Sequence, residues 1–435
     1  MSRPRLYKQR GVLAWAMYDW ANSAFATTVM AGFFPAFFQK FWSLGVAPTV
    51  STSRLGLANG VAGLVVALLA PMLGAIADRG GGRKRFLIAW SLIGIVATAG
   101  LYWAQKGDWQ SAFNLFVLGS IGFSAANVFY DALLLDVASE RDLDRVSAYG
   151  YALGYLGGGL LFALNVGMTL QPARFGLADA ASAVQFSFLT VAIWWFVFML
   201  PLATRVKERP AMWAAAGGSG NGAAESPWQL VLAGFRELRQ TLREIRRYRE
   251  LALFLLAYWL YIDAVNTIIK MAVDYGVALG LPTSSLLAAL LLTQFVAFPA
   301  ALFFGWLGDR IGAKRGILIG IVIYSFATLY AFFLDSVVEF FALATVIGLV
   351  QGGVQSLSRS FFGKLVPQGR SGEFFGFYNM MGKFATVVGP LLVGVVALTT
   401  GSSRASIASL VILFVAGGLL LLRVREPLAT PRSGC

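Results

Sequence analysis

The sequence predicts an all-α integral membrane protein, with twelve transmembrane helices in two pseudo-symmetric lobes of six. Three observations lead to this fold class. Of the 435 residues, 58% are hydrophobic and only 13% are charged, whereas a soluble protein carries about 25% charged residues. The apolar residues fall into segments of about 20 residues, which is the length that a spanning helix needs. Features of the first half also return in the second half in the same order.

The two lobes follow from the spacing of the apolar segments. The first lobe covers residues 1–204 and the second covers 251–425, with a linker at 205–250 and a tail at 426–435. Because the first segment is too long for a signal peptide and contains Asp19, we expect no cleaved leader. The twelve predicted segments cover about residues 12–38, 54–77, 86–104, 112–137, 147–170, 183–204, 251–276, 284–307, 316–334, 338–361, 373–399 and 405–423.

Lysine and arginine are divided unequally between the two sides that these segments define. The net charge is +14, and 27 of the 35 Lys and Arg residues fall in the termini, the linker and the loops on one side. Since basic residues accumulate in cytoplasmic loops, both termini are predicted to be cytoplasmic. We expect a multi-pass protein, in the cell (inner) membrane if the source is bacterial. The positive charge then reports orientation, and nucleic acid is excluded as a partner.

A basic amphipathic helix is predicted within the linker, at 228–250. Apolar residues recur there at steps of three and four, and arginines surround them. Such a helix suits the anionic cytoplasmic leaflet of a lipid bilayer. Lipid is therefore an expected partner, either as a regulator or as a passive anchor of the linker.

The lack of histidine and the single cysteine limit the chemistry of the chain. The sequence has no His, and its one Cys is Cys435, which excludes an intrachain disulfide and the usual imidazole ligands of zinc and haem. We expect no cofactor and no metal, and proton transfer falls mainly to carboxylates. The sequence also has no G-x-x-x-x-G-K-[ST] loop for ATP, which disfavours direct ATP drive.

Three matches indicate that the two halves are related by an internal repeat. Residues 74–84 and 305–315 both read G-x-x-x-D-R-x-G-x-[KR]-[KR], after the second segment of each half. D-x-x-N occurs in the first segment of each half, at 19–22 and 263–266. The third match pairs polar residues four apart in the fourth segments, Asn127 and Asp131 with Gln355 and Arg359.

The loop motif in both halves of a six-plus-six chain resembles the major facilitator superfamily. Three stretches, WAMYDWANS (15–23), YIDAVNTI (261–268) and QGGVQSLSR (351–359), resemble the vacuole effluxer-like family within it. That family includes fungal vacuolar amino-acid effluxers and bacterial relatives. The resemblance implies the major facilitator fold and secondary transport by alternating access, and it favours an amino acid as substrate. We expect the protein to act as a monomer.

Polar side chains inside the apolar segments form the candidate transport site. An ionisable residue at bilayer depth costs about 2.5–3.5 kcal/mol on insertion scales and usually faces a bundle interior or a wet cavity. Helical spacing places these residues on single faces of segments 1, 4, 7, 10 and 11, which we expect to line one central cavity. The predicted pathway for substrate or protons consists of Tyr18, Asp19, Asn22, Asn127, Asp131, Asp263, Asn266, Lys270, Gln351, Gln355, Arg359, Asn379 and Lys383.

The charges of this set differ between the halves. The first half contributes two acids, and the second contributes three bases and one acid. A small polar zwitterion would fit across such a cleft, with its ammonium group toward the first half and its carboxylate toward the second. If transport is coupled to protons, the candidate carriers are Asp19, Asp131 and Asp263, and Asp263 is favoured because it lies nearest the middle of its segment.

The repeated loop motif is the predicted cytoplasmic gate. An Asp at a helix end, followed by Arg and a Gly turn, can pair with basic groups or helix ends that must separate when helices move apart. Asp19, Asp131 and Arg359 lie toward the same side, so they belong to the substrate site or to an inner salt-bridge gate, or they only hold helices together. The predicted gate residues are Asp78, Arg79, Arg83, Lys84, Asp309, Arg310, Lys314 and Arg315.

Two other functions stay open at the level of the sequence. A proton-coupled exporter of drugs or other lipophilic compounds would use aromatic residues such as Trp194 and Tyr258 as an apolar pocket, although the charged cavity counts against it. A membrane receptor or an Asp-based intramembrane enzyme belongs to a different class. Without His, metal-dependent hydrolysis is disfavoured, and flux through liposomes separates a transporter from both.

Overall fold

A computed structural model of the chain describes residues 10–46, 48–80, 82–208, 248–367, 370–385 and 387–426. These ranges are mainly helical and contain no β-strand. The helices of the first half are α1 (Arg10–Ala24), α2 (Pro48–Gly80), α3 (Arg83–Gly100), α4 (Trp109–Val137), α5 (Leu143–Leu170) and α6 (Ala180–Arg205). The helices of the second half are α7 (Arg249–Ala278), α8 (Thr283–Ile311), α9 (Ala313–Tyr330), α10 (Val337–Leu365), α11 (Ser371–Phe384), α12 (Val388–Thr400), α13 (Ser403–Ala408) and α14 (Val411–Arg423).

Nine helical stretches in the described ranges are long and apolar enough to cross a membrane. The three other predicted segments are helical, but within these ranges none is a single helix that is long and apolar enough to cross a membrane. The first continues beyond α1 as a π-helix at Phe25–Phe33 and again at Phe38–Trp42, around a short α-helical turn. α3 carries three basic residues within its 18 residues. The eleventh segment is divided into α11 and α12.

The prediction of one continuous helix at 373–399 is wrong, because α11 ends at Phe384 and α12 begins at Val388. Pro390 explains the break. A proline inside a helix removes one hydrogen bond and clashes with the preceding turn, but it is tolerated in the first turn. Beginning α12 at Val388 puts Pro390 in that first turn. The twelfth segment is likewise divided, into α13 and α14.

Two aspartates outside the spanning stretches begin long helices. Asp108 caps α4 by accepting a hydrogen bond from the backbone of Ser111, and Asp179 caps α6 in the same way through Ser182. These hydrogen bonds hold the pKa of Asp108 and the pKa of Asp179 below the usual value of the side chain. Both helices therefore start with a satisfied N-terminal turn.

Each half of the chain has its own apolar core. One large cluster of buried residues runs from Val12 to Val206, and another runs from Leu251 to Val424 with Ala132 added from the first half. The predicted boundary between the lobes, residues 205–250, lies mostly outside the described residues, as does most of the amphipathic helix predicted at 228–250.

The two halves pack against each other closely at one end of the bundle. α2 contacts α11, and α5 contacts α8 and α10. Gly74 lies against the backbone of Gly372, and Gly305 lies against Ala148, so that neither glycine has space for a Cβ atom. We call this end the basic end, because the repeated basic loops after α2 and α8 lie there.

Candidate functional site

Arg359 of α10 is the centre of a buried cluster that joins the two halves. Its side chain is 2% exposed. Nη1 donates a hydrogen bond to Oδ1 of Asp131 at 3.0 Å and lies 3.7 Å from Oδ2 of Asp19. Nε and Nη2 donate to Oγ and the carbonyl oxygen of Ser147, at 2.9 and 2.8 Å. α1, α4 and α5 of one half thus hold an arginine of the other.

Neighbouring side chains complete the hydrogen bonding of both carboxylates. Tyr130 donates its hydroxyl hydrogen to Oδ2 of Asp19 at 3.0 Å, and Asn379 of α11 donates to Oδ2 of Asp131 at 2.9 Å. The guanidinium carbon of Arg359 also lies 4.2 Å from the ring centre of Tyr151. We call Asp19, Asp131 and Arg359 the charged centre.

The charged centre contains two carboxylates and one guanidinium group. A buried charge is stable only when it is paired and hydrogen-bonded. Arg359 compensates Asp131 directly, whereas Asp19 lies farther from it and receives a hydrogen bond from the neutral hydroxyl of Tyr130. A single added proton would balance the cluster. Asp19 is the carboxylate that this geometry leaves less compensated.

The other predicted residues of the first half lie within its own helix packing. Asn22 donates to Oδ1 of Asn127 at 2.6 Å. The hydroxyl groups of Tyr18 and Ser91 lie 2.7 Å apart. These contacts connect α1 with α4 and α3, which makes them interhelical ties next to the charged centre.

Asp263 and Asn266 of α7 are held at the break between α11 and α12. Oδ2 of Asp263 accepts a hydrogen bond from the backbone N–H of Val388 at 2.9 Å, at the first residue of α12. Nδ2 of Asn266 donates to the carbonyl oxygen of Ala385 at 3.1 Å, just after α11. Helix ends expose such unsatisfied groups, so the D-x-x-N motif of α7 satisfies both sides of the break. The structure does not bring Asp263 together with Arg359.

The remaining described members of the predicted pathway make no direct bond to the charged centre. Lys270 lies seven residues beyond Asp263 on α7, and its side chain is exposed. Gln351 and Gln355 bond to Tyr155 of α5 rather than to the charged centre. The side chain of Lys383 lies outside the described residues.

Two ion pairs at the basic end connect the halves near their surface. Asp309 accepts from Arg145 at 2.5 Å, and Lys364 donates to Asp144 at 2.6 Å. Asp309 is a predicted gate residue, and this ion pair connects it with the other half. Asp144, Arg145 and Lys364 were missed by sequence reasoning, although they stand at the start of α5 and the end of α10.

Several predicted gate residues are held within their own half. Arg83 pairs with Asp136 at 2.9 Å, and Lys84 donates to the carbonyl oxygen of Val206 at 3.1 Å. Two gate residues of the second half are also held locally: Lys314 donates to the carbonyl oxygens of Leu422 and Val424, and Arg310 lies over the ring of Trp306. Arg315 is exposed. The side chains of Asp78 and Arg79 lie outside the described residues.

Sequence reasoning also missed the face of α5 that meets the charged centre. Ser147, Tyr151 and Tyr155 follow one another at steps of four, so they share one side of the helix. Ser147 bonds Arg359, Tyr151 stacks on it, and Tyr155 bonds two glutamines of α10. This periodicity is visible in the sequence, but hydroxyl groups at such spacing are common in helix packing and carry little signal on their own.

Comparison with known sequences gives one family over nearly the whole chain. The family described as "Vacuole effluxer Atg22 like" matches residues 7–141 and 136–430. "Uncharacterized MFS-type transporter YxiO" of Bacillus subtilis (strain 168) is 40% identical over 422 residues, which cover 97% of this chain and 96% of that protein. "Autophagy-related protein 22-1" of Aspergillus terreus (strain NIH 2624 / FGSC A1156) is 27% identical over 62% of this chain. The chain spans about half of that fungal relative, 48% of its length.

Solved structures with the same fold are transporters of the major facilitator superfamily. The proton:xylose symporter XylE, bound to 6-bromo-6-deoxy-D-glucose, has a TM-score of 0.69 at 14% identity, over 96% of this chain and 95% of that chain. FucP in the outward conformation has a TM-score of 0.71 at 12% identity, over 97% of this chain and 100% of that chain. At these identities the likeness shows the fold alone, and it is the fold predicted from the sequence.

Proposed function

The chain belongs to the vacuole effluxer Atg22-like family of the major facilitator superfamily, and on this premise we propose that it carries a small polar solute, an amino acid or similar zwitterion, by alternating access. Membership makes it a multi-pass membrane transporter and not an enzyme. The choice of a polar solute is supported by the charged centre, because ionisable residues within apolar spanning helices are costly and usually belong to a transport pathway or its gate.

The proposal of alternating access rests on one observation, which is that the charged centre connects the two lobes. Arg359 belongs to the second lobe, and the groups that bind it belong to the first. If the lobes separate at the basic end, these bonds must break, since packed elements move between discrete arrangements. The pairs Arg145–Asp309 and Asp144–Lys364 would open in the same movement.

We assign the basic end to the cytoplasm from the distribution of Lys and Arg. The structure then corresponds to a conformation closed toward the cytoplasm, with the charged centre as the deep part of the gate and the surface pairs as its outer part. The assignment places both termini in the cytoplasm. A zwitterion arriving from the other side would approach the charged centre along α5 and α10.

Proton coupling is proposed to use Asp19 rather than Asp263. Asp263 accepts a hydrogen bond from the backbone N–H of Val388, so its carboxylate already has a structural role at the start of α12. Asp19 shares Arg359 with Asp131 and lies farther from the guanidinium group. When the pair Arg359–Asp131 forms, Asp19 is the carboxylate that gains most from taking up a proton.

The solute is tested by counterflow in proteoliposomes. Purified protein is reconstituted, the vesicles are loaded with one of the twenty amino acids in turn, and uptake of the same labelled amino acid is measured. The proposal expects counterflow of at least one amino acid, abolished in Arg359→Leu. If the wild-type protein exchanges none of them but moves lipophilic cations or drugs, the exporter alternative replaces it.

Asp19→Asn is expected to abolish accumulation driven by a pH gradient while preserving counterflow. The amide keeps the size and the acceptor for Tyr130 but cannot exchange a proton. Accumulation of the transported amino acid is measured with and without a protonophore. Asp108→Asn is the matched control, because asparagine caps a helix as well as aspartate does. Accumulation by Asp19→Asn at the wild-type level would contradict this role.

Arg145→Asp is expected to slow counterflow about fivefold, because it replaces an ion pair across the lobes by two acids. A partly exposed pair contributes up to about 1 kcal/mol, which corresponds to that factor. The swapped variant Arg145→Asp/Asp309→Arg restores the pair and should recover most of the rate. Equal slowing in the single and swapped variants would mean that the pair does not bridge the lobes during transport.

A further inference from the structure

A neutral polar layer lies one to two helical turns from the charged centre, on the side away from the basic end. Gln355 and Gln351 stand four and eight residues before Arg359 on α10, which is about 6 and 12 Å along the helix axis. The hydroxyl group of Tyr155 on α5 lies between them. It is 2.7 Å from Oε1 of Gln355 and 3.2 Å from Nε2 of Gln351. The layer therefore joins both lobes without any formal charge.

The direction of these hydrogen bonds leaves an acceptor and a donor for other groups. Gln351 donates its amide hydrogen to Tyr155, and Tyr155 donates its hydroxyl hydrogen to Gln355. A glutamine amide has an acceptor end and a donor end. The carbonyl oxygen of Gln351 therefore remains free to accept a hydrogen bond. The amide nitrogen of Gln355, the glutamine closer to Arg359 along α10, remains free to donate one. Among the described residues, the free acceptor of the layer therefore belongs to Gln351, and its free donor belongs to Gln355.

Gln294 of α8 adds a second acceptor that has no partner. Its residue is 8% exposed, and its Oε1 is enclosed without a hydrogen-bond donor among the described residues. Gly159, one turn beyond Tyr155 on α5, faces it so closely that a Cβ would lie 3.2 Å from the Cβ of Gln294. A Cβ atom at Gly352 of α10 would likewise meet the ring of Tyr155. α5, α8 and α10 thus meet here, at the level of the neutral layer.

A buried carbonyl oxygen without a donor is costly, and each such group in a folded protein calls for an explanation. A ligand that brings N–H groups would satisfy it. The charged centre cannot supply them, because Arg359 is already bound to Ser147 and Asp131. A group that enters between the lobes could supply this donor.

We propose that Gln294, Gln351 and Gln355 form a neutral subsite for an amino acid zwitterion, which deepens the proposed function and rests on it. Oε1 of Gln294 and Oε1 of Gln351 accept hydrogen bonds from the ammonium group. Nε2 of Gln355 donates to the carboxylate, which points toward Arg359. The ammonium group is bound by amides instead of Asp19 or Asp131, so Asp19 stays available for a proton.

The test compares an amino acid with its desamino analogue, the same carboxylic acid without the ammonium group. The probe is the amino acid with the fastest counterflow in the wild-type protein, and its half-saturating concentration is measured beside the inhibition constant of the analogue. Gln294→Met is expected to reduce the preference for the amino acid at least tenfold. Gln185→Met is the matched control, because Gln185 of α6 bonds backbone carbonyl oxygens in the first lobe.

A preference unchanged in folded Gln294→Met overturns the subsite but leaves the proposed function standing. If Gln294→Met fails to fold, Gln351→Met takes its place and must show the same loss of preference. If the wild-type protein exchanges none of the twenty amino acids, the proposed function fails and the subsite fails with it. A reduced preference in Gln185→Met as well would also overturn the proposal, because the effect would then not be specific to this layer.

Discussion

Replacement of Arg359 by leucine is expected to abolish transport and to lower the free energy of unfolding by about 3–5 kcal/mol. The guanidinium group is the compensating cation for two carboxylates that the structure buries with it, at 3.0 and 3.7 Å. Removing one partner of a buried ion pair leaves uncompensated charge, which costs far more than the pair itself contributes. Ser147 would also lose its donors.

The measurement is thermal unfolding in detergent together with counterflow. Arg404→Leu is the matched control, because Arg404 pairs with Asp335 at an exposed position where a salt bridge contributes at most about 1 kcal/mol. The triple variant Arg359→Leu/Asp19→Asn/Asp131→Asn removes the surplus charge and should recover most of the stability without recovering transport. Wild-type stability and flux in Arg359→Leu would contradict the charged centre as described.

Asp263→Ala is expected to lower the free energy of unfolding by about 1–3 kcal/mol and to reduce transport strongly. The alanine leaves the first N–H of α12 without its acceptor inside the protein, and an unsatisfied buried group carries this cost. The break between α11 and α12 would lose its tie to α7. Because Asn379 of α11 donates a hydrogen bond to Asp131 of the charged centre, a displacement of α11 would also disturb Asp131.

Asp263→Asn separates this structural role from proton transfer. Asparagine keeps an oxygen for the N–H of Val388, so the variant should retain near wild-type stability and accumulation driven by a pH gradient. The readouts are the melting temperature and the accumulation ratio of each variant. If Asp263→Asn instead behaves as expected for Asp19→Asn, keeping counterflow but losing accumulation, Asp263 is the proton carrier that its depth in the sequence predicted.

The fold could be predicted from the sequence because the bilayer imposes it. Few charges, apolar segments of spanning length and a repeated loop motif are direct consequences of crossing a membrane in two related halves, and the all-α fold is confirmed. The break in the eleventh segment was missed although Gly389 and Pro390 are visible in the sequence. A proline is compatible with a kinked but continuous membrane helix, so the pattern alone does not fix a break.

The candidate site was predictable as a set of residues but not as a set of contacts. Charged side chains in apolar segments identified Asp19, Asp131 and Arg359, which the structure brings together. The two D-x-x-N motifs, which the sequence relates by the internal repeat, make different contacts in the structure. Asp19 lies in the charged centre, whereas Asp263 caps a helix, because the helix break exists only in the second lobe among the described residues.

The partners across the lobes were the least predictable part. Asp144, Arg145 and Lys364 are ordinary charged residues near helix ends, and their pairing depends on how the lobes close. Gln294 carries no charge and stands in a strongly apolar helix, so its importance rests on burial and an unpaired oxygen. Neither property can be read from spacing.

Movement of protons with the solute tests the central claim most directly. Proteoliposomes are loaded with a pH-sensitive dye, and internal pH is followed after the transported amino acid is added outside without any imposed gradient. The account predicts a change of pH in the wild-type protein and in Asp263→Asn, and none in Asp19→Asn, although all three exchange the amino acid. A pH change of wild-type size in Asp19→Asn, or amino acid movement without any pH change in the wild-type protein, would contradict it.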